Sequence, residues 1–194
     1  MKTSHLKIFG IALIAILAGG GAMLALEPDL TKIHNDIADD YERVSHIDAD
    51  AFTQMPAGDV VIFDVREPEE YAVSHLPGAI LLDPNLSEED FQSRYANILS
   101  GKTAVFYCSV GRRSSNLAQR VASTVEAQTS HAPVNLTGGL FQWSNDKRSL
   151  VTTEGSETDA IHPYNAHWGR LIKNREAIQY TPAPETFAPA GSDD

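Results

Sequence analysis

Cysteine is almost absent from this chain: its 194 residues include one, Cys108. A single cysteine closes no internal disulfide, so a scaffold stapled by disulfides is excluded. Basic residues are also short, 15 Lys and Arg against 26 Asp and Glu, and the net charge is −11. Such an excess of negative charge argues against nucleic acid or an anionic membrane surface as a partner. The seven histidines lack metal-ligand spacing, and His162 and His167, five apart, do not share a helix face. Neither a metal nor a cofactor is expected. The chain has no internal repeat and no second core-sized unit.

One long stretch lacks charge altogether. From Ile8 to Leu26 nineteen residues run without a charged side chain, with Lys2 and Lys7 before them and Glu27 and Asp29 after. A positive start, an apolar middle and small residues at Gly20 and Ala22 read as a signal peptide over residues 1–26. The same length fits an N-terminal membrane anchor with the lysines inside. Either reading exports residues 27 onward, into a bacterial periplasm. Without Lys2 and Lys7, 13 basic residues remain against 26 acidic ones, so the exported part carries about −13.

The exported 168 residues suffice for one core with extensions. Spacings of three and four among Leu30, Ile33 and Ile37 predict a helix over 29–40, with Asp29 as its cap. Short strands follow at 44–47, 60–65, 79–82, 103–107 and 134–136. Helices are predicted from Pro68, over 87–99, over 114–127 and around 140–143. Strands alternating with helices at this spacing predict an α/β fold: a mostly parallel sheet with helices on both faces. Residues 151–160 read as a polar loop. Residues 161–180, with Trp168, Leu171 and Ile172, predict a final helix packed on the domain as core cover. Residues 181–194 read as a disordered tail.

The chemistry points to one loop, Cys108-Ser109-Val110-Gly111-Arg112-Arg113-Ser114, between the apolar run Thr103–Tyr107 and a helical pattern. A strand delivering a thiol into a glycine-containing turn ahead of a helix aims backbone N–H groups and a helix dipole at the sulfur. That arrangement draws negative charge to it. Arg112 and Arg113 add donors suited to an oxyanion. In open parallel sheets, ligands gather at the carboxyl ends of the strands, where this loop falls. The ordinary alternative is a small buried cysteine in an exposed turn.

Two separated stretches carry a resemblance. Phe63-Asp64-Val65-Arg66-Glu67-Pro68-Glu69-Glu70-Tyr71 with His75-Leu76-Pro77-Gly78-Ala79 resembles the front motif of rhodanese-like domains, and Cys108 to Ser114 resembles their active-site loop. Gly138-Gly139 with Trp143 resembles their closing turn, so the likeness spans residues 44–148. It implies a five-stranded parallel sheet and a single rhodanese-like domain, within residues 27–150 together with the N-terminal helix. It also implies a sulfurtransferase that takes sulfane sulfur from thiosulfate or polysulfide onto Cys108 as a persulfide and passes it to cyanide or a thiol, a protein thiol among them. The resemblance makes Cys108 the nucleophile. Ser109, Val110, Gly111, Arg112, Arg113 and Ser114 bind the substrate: backbone amides around the persulfide, one arginine on the donor's sulfonate, and the Ser114 hydroxyl toward the sulfur. Arg66 and Glu70 are expected to form a structural ion pair, and His75 to be a hydrogen-bonded hinge. The position before His75, usually glycine in the family, is Ser74.

Two other functions compete. A module that binds sulfide, polysulfide or a partner without turnover uses the same fold, but the cysteine and both arginines favour chemistry. A phosphatase or arsenate reductase needs a longer loop with its arginine six residues after the cysteine, where this chain has Ser114. With one domain present, closure of the pocket falls to residues 161–180 or to a second copy.

Overall fold

The run Thr103–Tyr107 becomes the middle strand of a five-stranded sheet, in a computed structural model that describes residues 29–183. The strands are β1 (Ser45–Ile47), β2 (Val60–Asp64), β3 (Ile80–Leu81), β4 (Thr103–Tyr107) and β5 (Val134–Leu136). Their order is β1-β5-β4-β2-β3, and every neighbouring pair is parallel. The export segment over 1–26 and all but the start of the expected tail lie outside the described residues.

Alternation along β4 divides the core in two. Val105 and Tyr107 join Phe52, Leu136, Trp143 and Ile161 on one face, while Ala104 and Phe106 join Phe63, Phe91, Leu117 and Val125 on the other. Successive side chains of a strand point to opposite faces, so a strand buried on both sides reads as one apolar run. The first face is covered from α1 (Leu30–Asp40), α2 (Ala49–Thr53), α7 (Gly139–Asn145) and the C-terminal segment. The second is covered from α4 (Glu88–Leu99), α5 (Arg112–Arg120) and α6 (Ala122–Thr129). α3 (Pro68–Val73) connects β2 to β3. Side chains cap several helix starts: Asp29 accepts from the Thr31 amide at 2.9 Å, Asp48 from the Ala51 amide at 2.8 Å and Ser87 from the Asp90 amide at 3.1 Å.

The helix predicted over 114–127 is two helices that break at Val121. The break frees the amide of Thr124 in the first turn of α6, and the Glu88 carboxylate accepts from it at 3.1 Å. A carboxylate at a helix N-terminus satisfies an orphan donor and complements the dipole. Glu88 lies 36 positions away, so no local pattern announced the break.

Residues 151–160 contain more order than a polar loop. β6 (Leu150–Val151) pairs antiparallel with β7 (Glu157–Thr158), and Val151 also bridges His75. The final helix expected over 161–180 is replaced by two 3-10 turns, Trp168–Leu171 and Arg175–Ala177. Pro163 and Gly169 oppose a continuous helix, and Tyr164 sits in the left-handed region at φ +62°. The segment packs on the domain all the same: Ile161 and Ile172 are fully buried, and the amide of Ile161 donates to Ala177 O at 2.8 Å. Ser74, extended at φ −171°, turns its hydroxyl to Ala160 O at 2.6 Å. The hydroxyl at this position therefore ties the front motif to the C-terminal segment.

Candidate active site

Cys108 follows the last residue of the central strand and is 1% exposed. Its Sγ accepts a hydrogen bond from the Gly111 amide at 3.2 Å, so the loop curls back over its own sulfur. The curl needs Gly111 at φ +101°, where a Cβ would also stand 2.9 Å from Asn135 Nδ2. Arg112 then opens α5, and helix geometry leaves the first-turn amides there without intrahelical acceptors. From below, the amides of Leu140 and Phe141 in α7 donate to the carbonyls of Cys108 and Ser109 at 2.9 and 3.0 Å. That approach needs a residue without a side chain at Gly139, whose Cβ would lie 2.3 Å from Cys108 O.

The two arginines diverge. Arg112 is 46% exposed and pairs at 2.9 Å with Asp40 at the end of α1. Arg113 turns inward: its Nη1 donates to Glu70 Oε2 at 2.7 Å, and its Nη2 donates to Glu70 Oε1 at 2.9 Å and Ser109 Oγ at 3.0 Å. The Ser109 hydroxyl donates to Glu70 Oε1 at 2.8 Å. Burial works against the charge of Arg113, but the hydrogen bond to Glu70 and the nearby Cys108 sulfur raise its pKa and keep it cationic. Burial likewise opposes ionisation of Glu70, and the hydrogen bonds and charge of Arg113, with Arg66, hold its carboxyl below the usual range.

Two expected contacts take other partners. Arg66 pairs not with Glu70 but with Asp64, Nη2 to Oδ2 at 2.6 Å, and with Ser74 O at 2.6 Å. Two residues along the chain, Asp64 is already in reach, which leaves Glu70 free to turn to the loop. Tyr107 completes this buried group, its hydroxyl donating to Asp64 Oδ2 at 2.6 Å. The Ser114 hydroxyl does not reach the sulfur; it donates to Asn135 Oδ1 at 2.6 Å beneath the loop. His75 is held by its Nδ1 at 3.1 Å from Tyr71 O and stacks on the Tyr71 ring, with a pKa lowered by burial.

A cavity of about 150 Å³ lies over the loop, lined by Cys108, Ser109, Val110, Arg112 and Arg113 on one side and by Tyr164 and Trp168 on the other. The Arg113 guanidinium lies 4.8 Å from the Tyr164 ring centre. Thus Cys108, Ser109, Val110, Arg112 and Arg113 come together at the cavity, while Gly111 shapes the turn and Ser114 anchors it from behind. Sequence reasoning missed Glu70 and Asn135 as site residues; it gave residues 161–180 to closure of the pocket without singling out Tyr164, and read Trp168 as core cover, whereas both line the cavity. The expectation that Glu70 of the front motif pairs with an arginine was the available signal for it.

Comparison with known proteins agrees with the resemblance in the two motifs. The rhodanese-like domain family profile matches residues 48–146. A protein named sulfurtransferase from Allochromatium vinosum is 29% identical over 114 residues, covering 58% of this chain and 99% of that protein. The thiosulfate:glutathione sulfurtransferase of Saccharomyces cerevisiae is 34% identical over 100 residues, 43% of this chain and 70% of that one. A protein of Mycobacterium tuberculosis named "Probable adenylyltransferase/sulfurtransferase MoeZ" is 30% identical over 134 residues, 61% of this chain but only 32% of its own length. With a profile matched across half of its length and a parallel sheet delivering Cys108 into the loop, this chain belongs to the rhodanese-like domain family.

Proposed function

We propose that the protein is a sulfurtransferase that carries sulfane sulfur on Cys108, from thiosulfate or polysulfide to a thiol or cyanide. The observation that carries this reading is the single cysteine at the end of the central strand, its sulfur already hydrogen-bonded by the loop and opening on a cavity beside a guanidinium. The relatives named sulfurtransferase support it. The uncharged run Ile8–Leu26 supports a site of action outside the cytoplasm.

In the first half-reaction the Cys108 thiolate attacks the outer sulfur of thiosulfate. The bond between the two donor sulfurs breaks, its electron pair leaves with sulfite, and the outer sulfur stays on Cys108 as a persulfide. The Gly111 amide and the start of α5 stabilise the negative sulfur, a preorganised set of dipoles that needs no rearrangement.

The energetics of the two ion pairs divide the work between the arginines. An exposed pair such as Arg112 with Asp40 is worth about 0 to 1 kcal/mol, so Arg112 can leave it for the donor's sulfonate at little cost. Arg113 is fixed by two hydrogen bonds to a carboxylate that is 1% exposed, and stays beside the sulfur. Arg112 therefore binds the donor and Arg113 shapes the nucleophile's surroundings.

The test is intact mass spectrometry of the reduced protein after incubation with thiosulfate, and again after cyanide, alongside Cys108→Ser. A gain of one sulfur atom that needs Cys108 and is discharged as thiocyanate supports the proposal. No gain with either thiosulfate or polysulfide rejects it.

A further inference from the structure

The family match ends at residue 146, but the cavity over Cys108 does not stop with it. Its far wall is Tyr164 and Trp168, contributed by the C-terminal segment. Tyr164 is 47% exposed and one of three non-glycine residues among those described with positive φ. A left-handed conformation costs a side-chain-bearing residue about 1 to 2 kcal/mol, and persists where the surroundings hold it. Here the Tyr164 amide donates to His162 Nδ1 at 3.1 Å and the Asn165 amide to Pro163 O at 2.7 Å. Asn165 Oδ1 accepts from the amides of His167 and Trp168 at 3.0 and 3.1 Å, and Pro163 lies so close to Gly169 that a Cβ there would meet it at 3.0 Å. The Ser74 hydroxyl holds the segment's root at Ala160. A turn built only as cover has no need to hold a half-exposed tyrosine in this conformation.

The wall's chemistry indicates what it meets. Val110, Tyr164 and Trp168 present apolar surface, and Arg113, the arginine that stays beside the sulfur, is paired with Glu70. A cavity of about 150 Å³ is the size that holds a benzene-sized body. A ligand with apolar surface next to its sulfur gains from burial against this wall, whereas a small hydrophilic anion gains nothing from it.

We propose that Tyr164 and Trp168 select the sulfur acceptor, an organic thiol whose sulfur is attached to an apolar body of about benzene size, over small hydrophilic acceptors. The inference rests on the sulfur-transfer reading and adds its acceptor class. The acceptor's thiolate attacks the outer sulfur of the Cys108 persulfide. The bond from that sulfur to Cys108 Sγ breaks, its electron pair stays on Sγ, and an organic persulfide departs, with no oxidant or reductant required.

The experiment loads the full chain with thiosulfate, removes the donor, confirms the added sulfur by mass, and follows its discharge by phenylmethanethiol, by 2-hydroxyethanethiol and by cyanide. The two thiols are of similar acidity and differ in the apolar body. The wild type is expected to discharge to phenylmethanethiol about tenfold faster per mole than to 2-hydroxyethanethiol, the size of effect that burying a modest apolar area gives. Trp168→Ala and Tyr164→Gly, the latter suited to the positive φ, should bring the ratio near one, and Tyr164→Phe should keep it. A ratio near one in the wild type, or one that neither Trp168→Ala nor Tyr164→Gly changes, overturns the inference while leaving sulfur transfer intact. Failure of Cys108 to gain sulfur overturns both.

Discussion

Glu70 and Arg113, 43 positions apart, meet as a two-pronged ion pair at 2.7 and 2.9 Å that joins the front motif to the cysteine loop. Glu70 is buried, and it also takes the Ser109 hydroxyl, so one carboxylate holds two residues of the loop. Removing one partner of a buried pair strands the other, at a cost of about 3 kcal/mol. Glu70→Ala should lower the urea midpoint accordingly and slow persulfide formation, and Glu70→Gln, which keeps a hydrogen-bonding group, should recover part of both. Because the folded state depresses the carboxyl's pKa, its stabilisation is present above the ordinary value of 4.5 and is lost as pH falls through the lower folded value. The acid limb of a stability curve should therefore flatten in Glu70→Gln.

The arginines should separate in kinetics. Arg112→Ala is expected to raise KM for thiosulfate while changing kcat little, because it removes binding to an exposed part of the donor, and to alter stability by less than about 1 kcal/mol. Arg113→Ala should lower kcat and also destabilise the fold, since it leaves the Glu70 charge unpaired in a buried place. Equal effects of the two substitutions would contradict the assignment.

Gly139 and Gly78 are a matched pair. Both have positive φ, +56° and +75°, but a Cβ on Gly78 meets nothing within 4 Å while one on Gly139 would lie 2.3 Å from Cys108 O. Gly78→Ala should cost about 1 kcal/mol for its backbone alone. Gly139→Ala must push the cysteine loop from α7, and should cost more than about 3 kcal/mol and abolish Cys108 loading. Thermal melts and mass spectrometry of both variants measure this.

Acid should weaken the fold well above the carboxylate range. His34, His46, His75 and His162 all have pKa values lowered from the ordinary 6.5, in each case chiefly by burial. The unfolded chain then binds more protons than the native one near and below that value, so stability is full above about pH 6.5 and falls as pH drops through the folded values. His34 and His46 lie edge to face with ring centres 5.1 Å apart, and their charges repel when both are protonated. Urea midpoints should decline from pH 7.5 to 5.5, and less steeply in His46→Phe.

What the sequence determined by itself was whatever rests on near neighbours. The apolar runs at 60–65 and 103–107 specify buried strands, Asp29 and Ser87 mark helix starts, and Cys108 to Ser114 spells a turn that aims amides at a sulfur. These signals reside in periodicity and in side chains one to four residues from their targets, so they can be read along the chain. What only the tertiary structure decided was which distant side chains meet. The helix predicted over 114–127 breaks at Val121 with Glu88 capping its second half, Arg66 turns to Asp64 so that Glu70 reaches Arg113, Ser114 bonds Asn135 rather than sulfur, and the segment read as a covering helix bends at Tyr164 into the wall of the cavity. Long side chains find their charges and hydrogen bonds in space, among candidates dozens of residues away, and the choice among them is made by the packing of the sheet and its helices.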